Sequence, residues 1–329
     1  MTKQGFRIEL DPTPDQVVAM VRHAGLSRFV ENFCLDKILD ALAARRAEEE
    51  RGVAAAERTK VPWTAMDLER LWRSEHPTVA PWFAESKLSS RVPKEACRLR
   101  AVGLMNWWKS RKGDRKGPKA NFPRRRKRKH GSRFRYDADR AKPAGARTVA
   151  LPGIPGGVTT REDMSWLTDR VAAGRARVIG ATVREKAGRW WVSFQIEVER
   201  RDVNARRMIS ADMPACGIDL GLTTFAVIQD DTGEVADIVA PKPLKTALRK
   251  LRRANKALSR KEAQSRNRRR AHLHVAALHL RVAARRGDFL HKLTTELART
   301  KRAIAVESLN IAGIASNRRL ARAVWSIPR

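Results

Sequence analysis

The chain has 329 residues, a formal net charge of +34 and a pI near 11.4. That length can bury at least one ordinary core and divides into two or three domains, while no run of about eighteen uncharged apolar residues exists to span a bilayer. The polar start Met1-Thr2-Lys3-Gln4-Gly5-Phe6-Arg7 is no secretory signal, and Cys34, Cys97 and Cys216 stand singly without a Cys-x-x-Cys pair. The expectation is a cytoplasmic, nucleoid-associated protein with no membrane contact, no disulfides and no zinc site.

Phe6, Ile8 and Leu10 alternate with polar residues as in a half-buried strand, and Thr13-Pro14-Asp15-Gln16 offers a capping box with proline at the first helical position. Apolar residues from Val17 through Met20, Val30, Ile38 and Leu42 carry a helical period to the charged stretch Arg45 to Arg51. Further helical patterns, interrupted by Pro62, Pro77, Pro81 and Pro93, run to Trp108. Lys109 to Lys129 is rich in Gly, Pro and cations without periodicity, which predicts an exposed basic loop. Arg133 to Tyr136 reads as a strand. Ile179-Ala181-Val183 and Trp190-Val192-Phe194-Ile196-Val198 alternate across Glu185-Lys186-Ala187-Gly188 as a hairpin, and with residues 4–10 these strands are expected to close a small barrel.

Arg200 to Met213 reads as a polar linker. A second module then begins near Ala215 with a strand carrying Asp219, a turn at Asp230-Asp231-Thr232-Gly233 and a strand Val235 to Val239. A long cationic helical region follows, breaking near Ser265-Arg266-Asn267, and a buried strand Ala303 to Val306 delivers Glu307 at its carboxyl end. The leucines of the helical region, Leu248 and Leu251 through Leu290 and Leu293, predict an amphipathic face packed on the sheet. The order is that of a ribonuclease-H-like core, so the fold class is α+β.

Asp219 places one carboxylate inside the apolar run 216–228, which a buried strand tolerates only when the charge has a partner, and the expected partner is a divalent metal. Asp219 and Glu307 at neighbouring strand ends suit phosphodiester hydrolysis, in which carboxylates converge on two metal ions about 3.5–4 Å apart. Hard oxygen ligands select magnesium or manganese. Two basic blocks carry +30 of the +34: Lys109 to Arg135 has fourteen Lys or Arg against Asp114, and Lys242 to Arg302 has twenty against Glu262, Asp288 and Glu296. Solubility needs mixed signs and far less charge. These blocks therefore read as phosphate contacts, with Arg124, Arg125, Arg126, Lys127, Arg128 and Lys129 in the first and Arg253, Arg260, Lys261, Arg266, Arg268, Arg269 and Arg270 in the second. Trp107-Trp108 and Trp190-Trp191 are either core or base-stacking pairs. His272-Leu273-His274 fits the metal motif of nucleases that attack through tyrosine, but it lies in a helical pattern where residues two apart face different ways, and Tyr136 is the one tyrosine.

The segments Gly217-Ile218-Asp219-Leu220-Gly221-Leu222, Leu258-Ser259-Arg260-Lys261 through Ser265-Arg266-Asn267-Arg268 to Asp288-Phe289-Leu290-His291-Lys292-Leu293, and Val306-Glu307-Ser308-Leu309-Asn310-Ile311 resemble the transposon-encoded TnpB (OrfB) family. The similarity runs from Phe6 to about Arg322. It implies an RNA-guided DNA endonuclease with a guide RNA and a DNA target as partners. It also implies a wedge β-barrel from residues 1–11 and 131–200, a helical recognition lobe with the basic loop over 12–130, a linker at 201–213 and a RuvC-like nuclease domain over 214–329. By the same resemblance Asp219 and Glu307 are the first two of three catalytic carboxylates. No Asp or Glu follows Glu307, and the family's four-cysteine zinc finger has no counterpart. The resemblance thus implies an incomplete nuclease domain in a truncated copy with impaired cleavage. The alternative is a non-catalytic DNA- and RNA-binding remnant.

Overall fold

The computed structural model describes residues 1–128, 131–138, 140–199, 210–221, 224–239 and 243–310, with positions 313 and 316. The chain divides into two units, Met1–Arg200 and Arg201–Arg329, with separate cores.

The first unit opens with β1 (Thr2–Leu10) and α1 (Pro14–Glu50). The helix starts at the capping box: the Gln16 N–H donates to the Thr13 hydroxyl and the Thr13 N–H donates to the Gln16 side chain. The same Gln16 amide donates to the carbonyls of Pro155 and Gly157, tying the start of the helix to a distant turn. Next come α2 (Ala65–Val79) and α3 (Arg91–Lys112). Pro77 and Pro93 lie inside these helices rather than between them, Pro93 in a first turn where its missing N–H had no intrahelical partner to lose. The basic loop accordingly begins after Lys112.

Then follow β2 (Arg133–Asp137), β3 (Lys142–Gly145), β4 (Thr148–Ala150), β5 (Val158–Thr159), α4 (Ser165–Ala172), β6 (Ala176–Lys186) and β7 (Arg189–Val198). The main sheet is antiparallel, in the order β1-β7-β6-β2. Its hairpin turns at Ala187 and Gly188, both with positive φ (55° and 78°), the two-residue geometry that matches strand twist and for which glycine is suited. A register shift between Val178 and Gly180 changes the phase of β6, so Val178, Ala181 and Val183 face the core and Ile179 does not.

The expected barrel does not close. β3, β4 and β5 form a separate three-stranded sheet that meets β1 at the Leu10–Thr160 bridge, and among the described residues no pairing joins β2 to β3. The physical reason is that helices cover this part of the sheet, with α1 and α3 packing beside β2. β3, β4 and β5 are only four, three and two residues long, too short to carry a periodicity by which to be read.

Met20, Ile38, Leu104, Phe134, Phe194 and Ile196 are fully buried in the core of this unit, each contributing about 1.5–3 kcal/mol of transfer free energy. Cys34 and Cys97, far apart in sequence, meet there with sulfurs 3.6 Å apart. The neighbouring thiol and burial push the Cys97 thiol far above its ordinary value, which keeps that sulfur protonated and unreactive. Tyr136 is fully buried, donates to the Pro152 carbonyl at 2.7 Å and has its pKa raised by burial, so no tyrosine nucleophile is available at that position.

The core also contains charge. Glu31 accepts from Arg126 at 2.5 Å and Ser27 at 3.2 Å, while Arg100 donates to the Glu31 carbonyl at 2.8 Å. Glu95 accepts from Arg135 at 2.7 Å. His23 is buried against Phe134, its Nδ1 at 2.8 Å from the Ala19 carbonyl and its Nε2 accepting from Ser89 N–H at 3.1 Å, which fixes the neutral Nδ1–H tautomer.

The second unit has β8 (Ala215–Leu220), β9 (Ala226–Asp230), β10 (Val235–Ile238), α5 (Pro243–Ser259), α6 (Arg266–Thr300) and β11 (Ala303–Val306). Its sheet order is β10-β9-β8-β11, with β8, β9 and β10 an antiparallel meander and β11 parallel to β8. The leucine stripe divides its work. Leu251 and Ala254 of α5 pack on Val275 and Leu278 of α6. Only the carboxyl half of α6, through Leu293 and Leu297, covers the sheet, with Phe289 edge-on to Phe225 at 5.4 Å. The break between the helices spans 260–265 and is closed by Ser265 capping Arg268 N–H and by the Arg268 guanidinium on the carbonyls of Leu258 and Lys261.

Two outcomes follow for stability. Glu31→Ala is expected to lower the denaturant-derived stability of the first unit by about 3–5 kcal/mol, because it strands the Arg126 charge, whereas the double change Glu31→Leu with Arg126→Met costs much less. Burial holds the His23 pKa below the ordinary 6.5, so its contribution is fully present above about pH 6.5 and is lost as the pH falls from there through the lower folded value. Denaturation midpoints of the protein and of a His23→Leu variant should therefore converge on acidification from pH 7.5 to 5.

Candidate functional site

β11 pairs with β8 in a parallel register that sets Ala305 opposite Gly217 and Val306 opposite Ile218. Continued by one residue past the end of β11, that register would set Glu307 opposite Asp219. Side chains alternate along a strand, so Asp219 shares the face of Gly217 while Cys216, Ile218 and Leu220 point the other way into the cluster under α6. Both carboxylates line one open groove of about 950 Å³, together with Val227 and Gln229 of β9. Adjacent strands lie about 4.8 Å apart, a spacing at which two carboxylates can share one cation.

Two expectations need correction. Asp219 is exposed, not enclosed in a strand buried on both faces, because α6 covers only the opposite side of the sheet. Likewise β11 is exposed along its whole length, with Ile304 at 42% and Val306 at 55%, because it is the edge of the described sheet. Both carboxylates are therefore solvated, and no buried partner is required to account for them.

The sequence reading missed the residues that fix this register. Asp230 is buried and its carboxylate accepts from Lys301 at 2.6 Å, from the Thr232 hydroxyl and backbone, and from the Glu234 N–H. The Lys301 ammonium, with Thr232, holds the Asp230 carboxyl far below the usual carboxylate range. Asp231 pairs with Arg302 at 3.0 Å and accepts from Ala215 N–H, while Arg302 N–H donates to the Pro214 carbonyl. These pairs clamp the start of β11 to the start of β8, at the end of the strands remote from Asp219. Asp-Asp-Thr-Gly is legible as a turn, and Lys-Arg before a strand is the signal that could have named its partners. Asp237 lies on the carboxylate face too, since it pairs with Val227, which pairs with Asp219. Two strand spacings, about 10 Å, separate it from Asp219, too far for both to bind one ion.

The cationic runs have unequal fates. Arg126 is buried on Glu31 and braces the loop, with its backbone exchanging hydrogen bonds with Asn32. It is not free to meet a phosphate. Arg125 pairs with Asp36, while Arg124, Lys127 and Arg128 are exposed and Lys129 lies outside the described residues. On the α5–α6 hairpin Arg253, Arg260, Lys261, Arg266, Arg269 and Arg270 are exposed and Arg268 is tied into the turn. His272 and His274 are both exposed on α6, and among the described residues no cluster of three metal-ligating side chains occurs. Of the tryptophans, Trp190 is core, Trp107 stands edge-on to Phe122, and Trp108 is 40% exposed under the Lys112 ammonium at 4.0 Å. No helix among the described residues is long and apolar enough to cross a membrane.

Residues 193–318 match the OrfB family of IS605-type elements, described as a probable transposase, and residues 1–47 match its helix-turn-helix domain. In this chain that second stretch is β1 and a single uninterrupted helix. A protein of Mycobacterium tuberculosis strain H37Rv, provisionally named an RNA-guided DNA endonuclease, is 31% identical over 316 residues, covering 94% of the chain and 67% of the relative. Proteins with the same provisional name from Streptomyces pristinaespiralis (28% identical, 98% of the chain, 71% of the relative) and Escherichia coli K12 (26%, 95% and 68%) align likewise. The chain spans about two thirds of the length of these relatives. Among solved structures, the Cas12f1-sgRNA-target DNA complex aligns over 89% of the chain and 65% of its own, with a TM-score of 0.44 and 9% identity.

Asp230→Asn should loosen the clamp on β11. Amide exchange at Ala303 to Val306 is expected to accelerate while exchange in β9 and β10 stays slow, which hydrogen-exchange mass spectrometry can read.

Proposed function

The chain belongs to the OrfB/TnpB family of transposon proteins, and from that premise we propose that it is a transposase-associated, RNA-guided DNA endonuclease hydrolysing phosphodiester bonds with a divalent metal. The observation that supports this most is that Asp219 and Glu307 line one open groove beside the parallel pair β8 and β11, whose register, continued by one residue, would set them opposite each other. These two carboxylates would hold the ion, and their hard oxygens suit magnesium or manganese. When bound, such an ion supplies an activated water and charge neutralisation at a phosphate.

The chain's own residues do the rest. That face, open among the described residues, admits a bulky polyanion to Asp219 and Glu307, which a buried site would not. Exposed cations of the α5–α6 hairpin, with Arg124 and Arg128 of the first unit, hold phosphates, and each neutralised phosphate on duplex DNA adds about 0.9 to the salt slope. In this reading the strand order of the second unit is the start of a RuvC-like, ribonuclease-H-like core over 214–329. Residues 1–11 and 131–200 serve as the wedge and 12–130 as the recognition lobe, with guide RNA and target DNA as partners.

Cleavage of a target plasmid by the purified chain with its guide RNA and magnesium tests the proposal. Asp219→Ala and Glu307→Ala are each expected to lower the rate by about a hundred-fold or more while leaving RNA affinity unchanged. RNA binding without any cutting by the unmodified chain would overturn the catalytic part and leave a nucleic-acid-binding protein.

A further inference from the structure

The first unit holds a cavity that none of this chemistry uses. It lies along one face of α1, where Arg22, Gly25 and Phe29 follow at helical spacing, and it is closed by Trp82 from the short turn Pro81–Phe83. Its volume of about 690 Å³ falls in the range of small-ligand sites. Two aromatic rings are offered to it: Phe29 is 37% exposed and Trp82 46% exposed, standing edge-on to each other at 5.8 Å. Phe29 is braced from behind by the buried Trp72 at 6.2 Å.

The rim is cationic. Arg22, Arg28 and Arg125 line it, and the one acid there, Asp36, is already paired with Arg125. Arg22 and Arg28 make no hydrogen bond or ion pair among the described residues. Gly25 supplies the floor. A β-carbon added there would meet nothing within 4 Å, so packing does not demand the glycine, although a helix-interior glycine costs about 1 kcal/mol relative to alanine. Its effect is to keep the cavity open.

We propose that this cavity takes one unpaired nucleotide, with its base against Trp82 and Phe29 and its phosphate toward Arg22, Arg28 and Arg125. Every base has a face that stacks on an aromatic ring, and three arginines around an apolar slot complement an aromatic ring carried on a phosphate. A base inside a duplex cannot enter. The inference rests on the reading that the chain binds nucleic acid, and adds to it a place that distinguishes unpaired from paired strands.

The test uses the full chain and a fluorescein-labelled twelve-nucleotide strand, presented as single-stranded RNA, as single-stranded DNA and as duplex, with anisotropy read at one fixed salt concentration. Trp82→Ala and Gly25→Leu, the second filling the cavity while improving helix propensity, are each expected to weaken single-strand binding roughly five- to a hundred-fold. Duplex affinity should change less than about two-fold, and Gly25→Leu should keep or raise the melting temperature. The two single-stranded arms show whether RNA or DNA is the occupant. Equal losses on single strand and duplex, or no loss with either variant, would overturn the nucleotide site while leaving the functional reading intact. A lowered melting temperature for Gly25→Leu would show that the chain fills its own cavity, and would overturn it as well. Absence of all nucleic-acid binding by the unmodified chain would take down both.

Discussion

Glu31 sits mid-helix in α1 with its carboxylate out of water, and an ion buried in this way costs several kcal/mol unless it is fully partnered. Its partners come from three different places. Arg126 arrives from the basic loop, Arg133 from the start of β2 at 3.4 Å, and Arg100 from α3 through the Glu31 carbonyl. Side chain and backbone of one residue thus fix a loop, a strand and two helices relative to each other. A protein with this surplus of cations has few acids to spare, and it uses a buried acid to organise part of the surplus from within.

The same accounting separates the cations that build the protein from those that face outward. Arg126, Arg135 and Arg268 have their guanidinium groups committed to carboxylates, carbonyls or amides inside the protein. Arg124, Arg253, Arg260 and Arg269 are exposed and make no such bond among the described residues. Sequence distance offers no hint of this difference, since Arg124 and Arg126 stand in one run. What differs is the direction of the backbone as the loop crosses α1, where Asn32 grips it on both sides of the Arg126 peptide.

Much of the architecture was legible because local signals and tertiary demands agree. The Thr13 capping box, the hairpin at Ala187-Gly188, the Asp230 turn and the helix break before Arg266 stand where their residues place them. Failures came where a neighbour decided the outcome. The phase of β6 slips at a bulge, the barrel stays open because helices occupy its flank, and β11, apolar in composition, lies exposed at an edge. The two carboxylates were readable as strand-end acids, but the Asp230–Lys301 and Asp231–Arg302 pairs that set their register join residues 71 positions apart, which no local pattern reports.

The juxtaposition of Asp219 and Glu307 also has a history during synthesis. The 87 positions between them hold the rest of the meander and the entire α5–α6 hairpin, so the parallel pairing of β11 with β8 is the most non-local contact in the described sheet and closes its longest loop. Domains emerge from the ribosome amino end first, and the first unit, with its basic loop, is complete well before β11 exists. The pairing that completes the second sheet is therefore the last to become possible, and the core of the first unit can form without it.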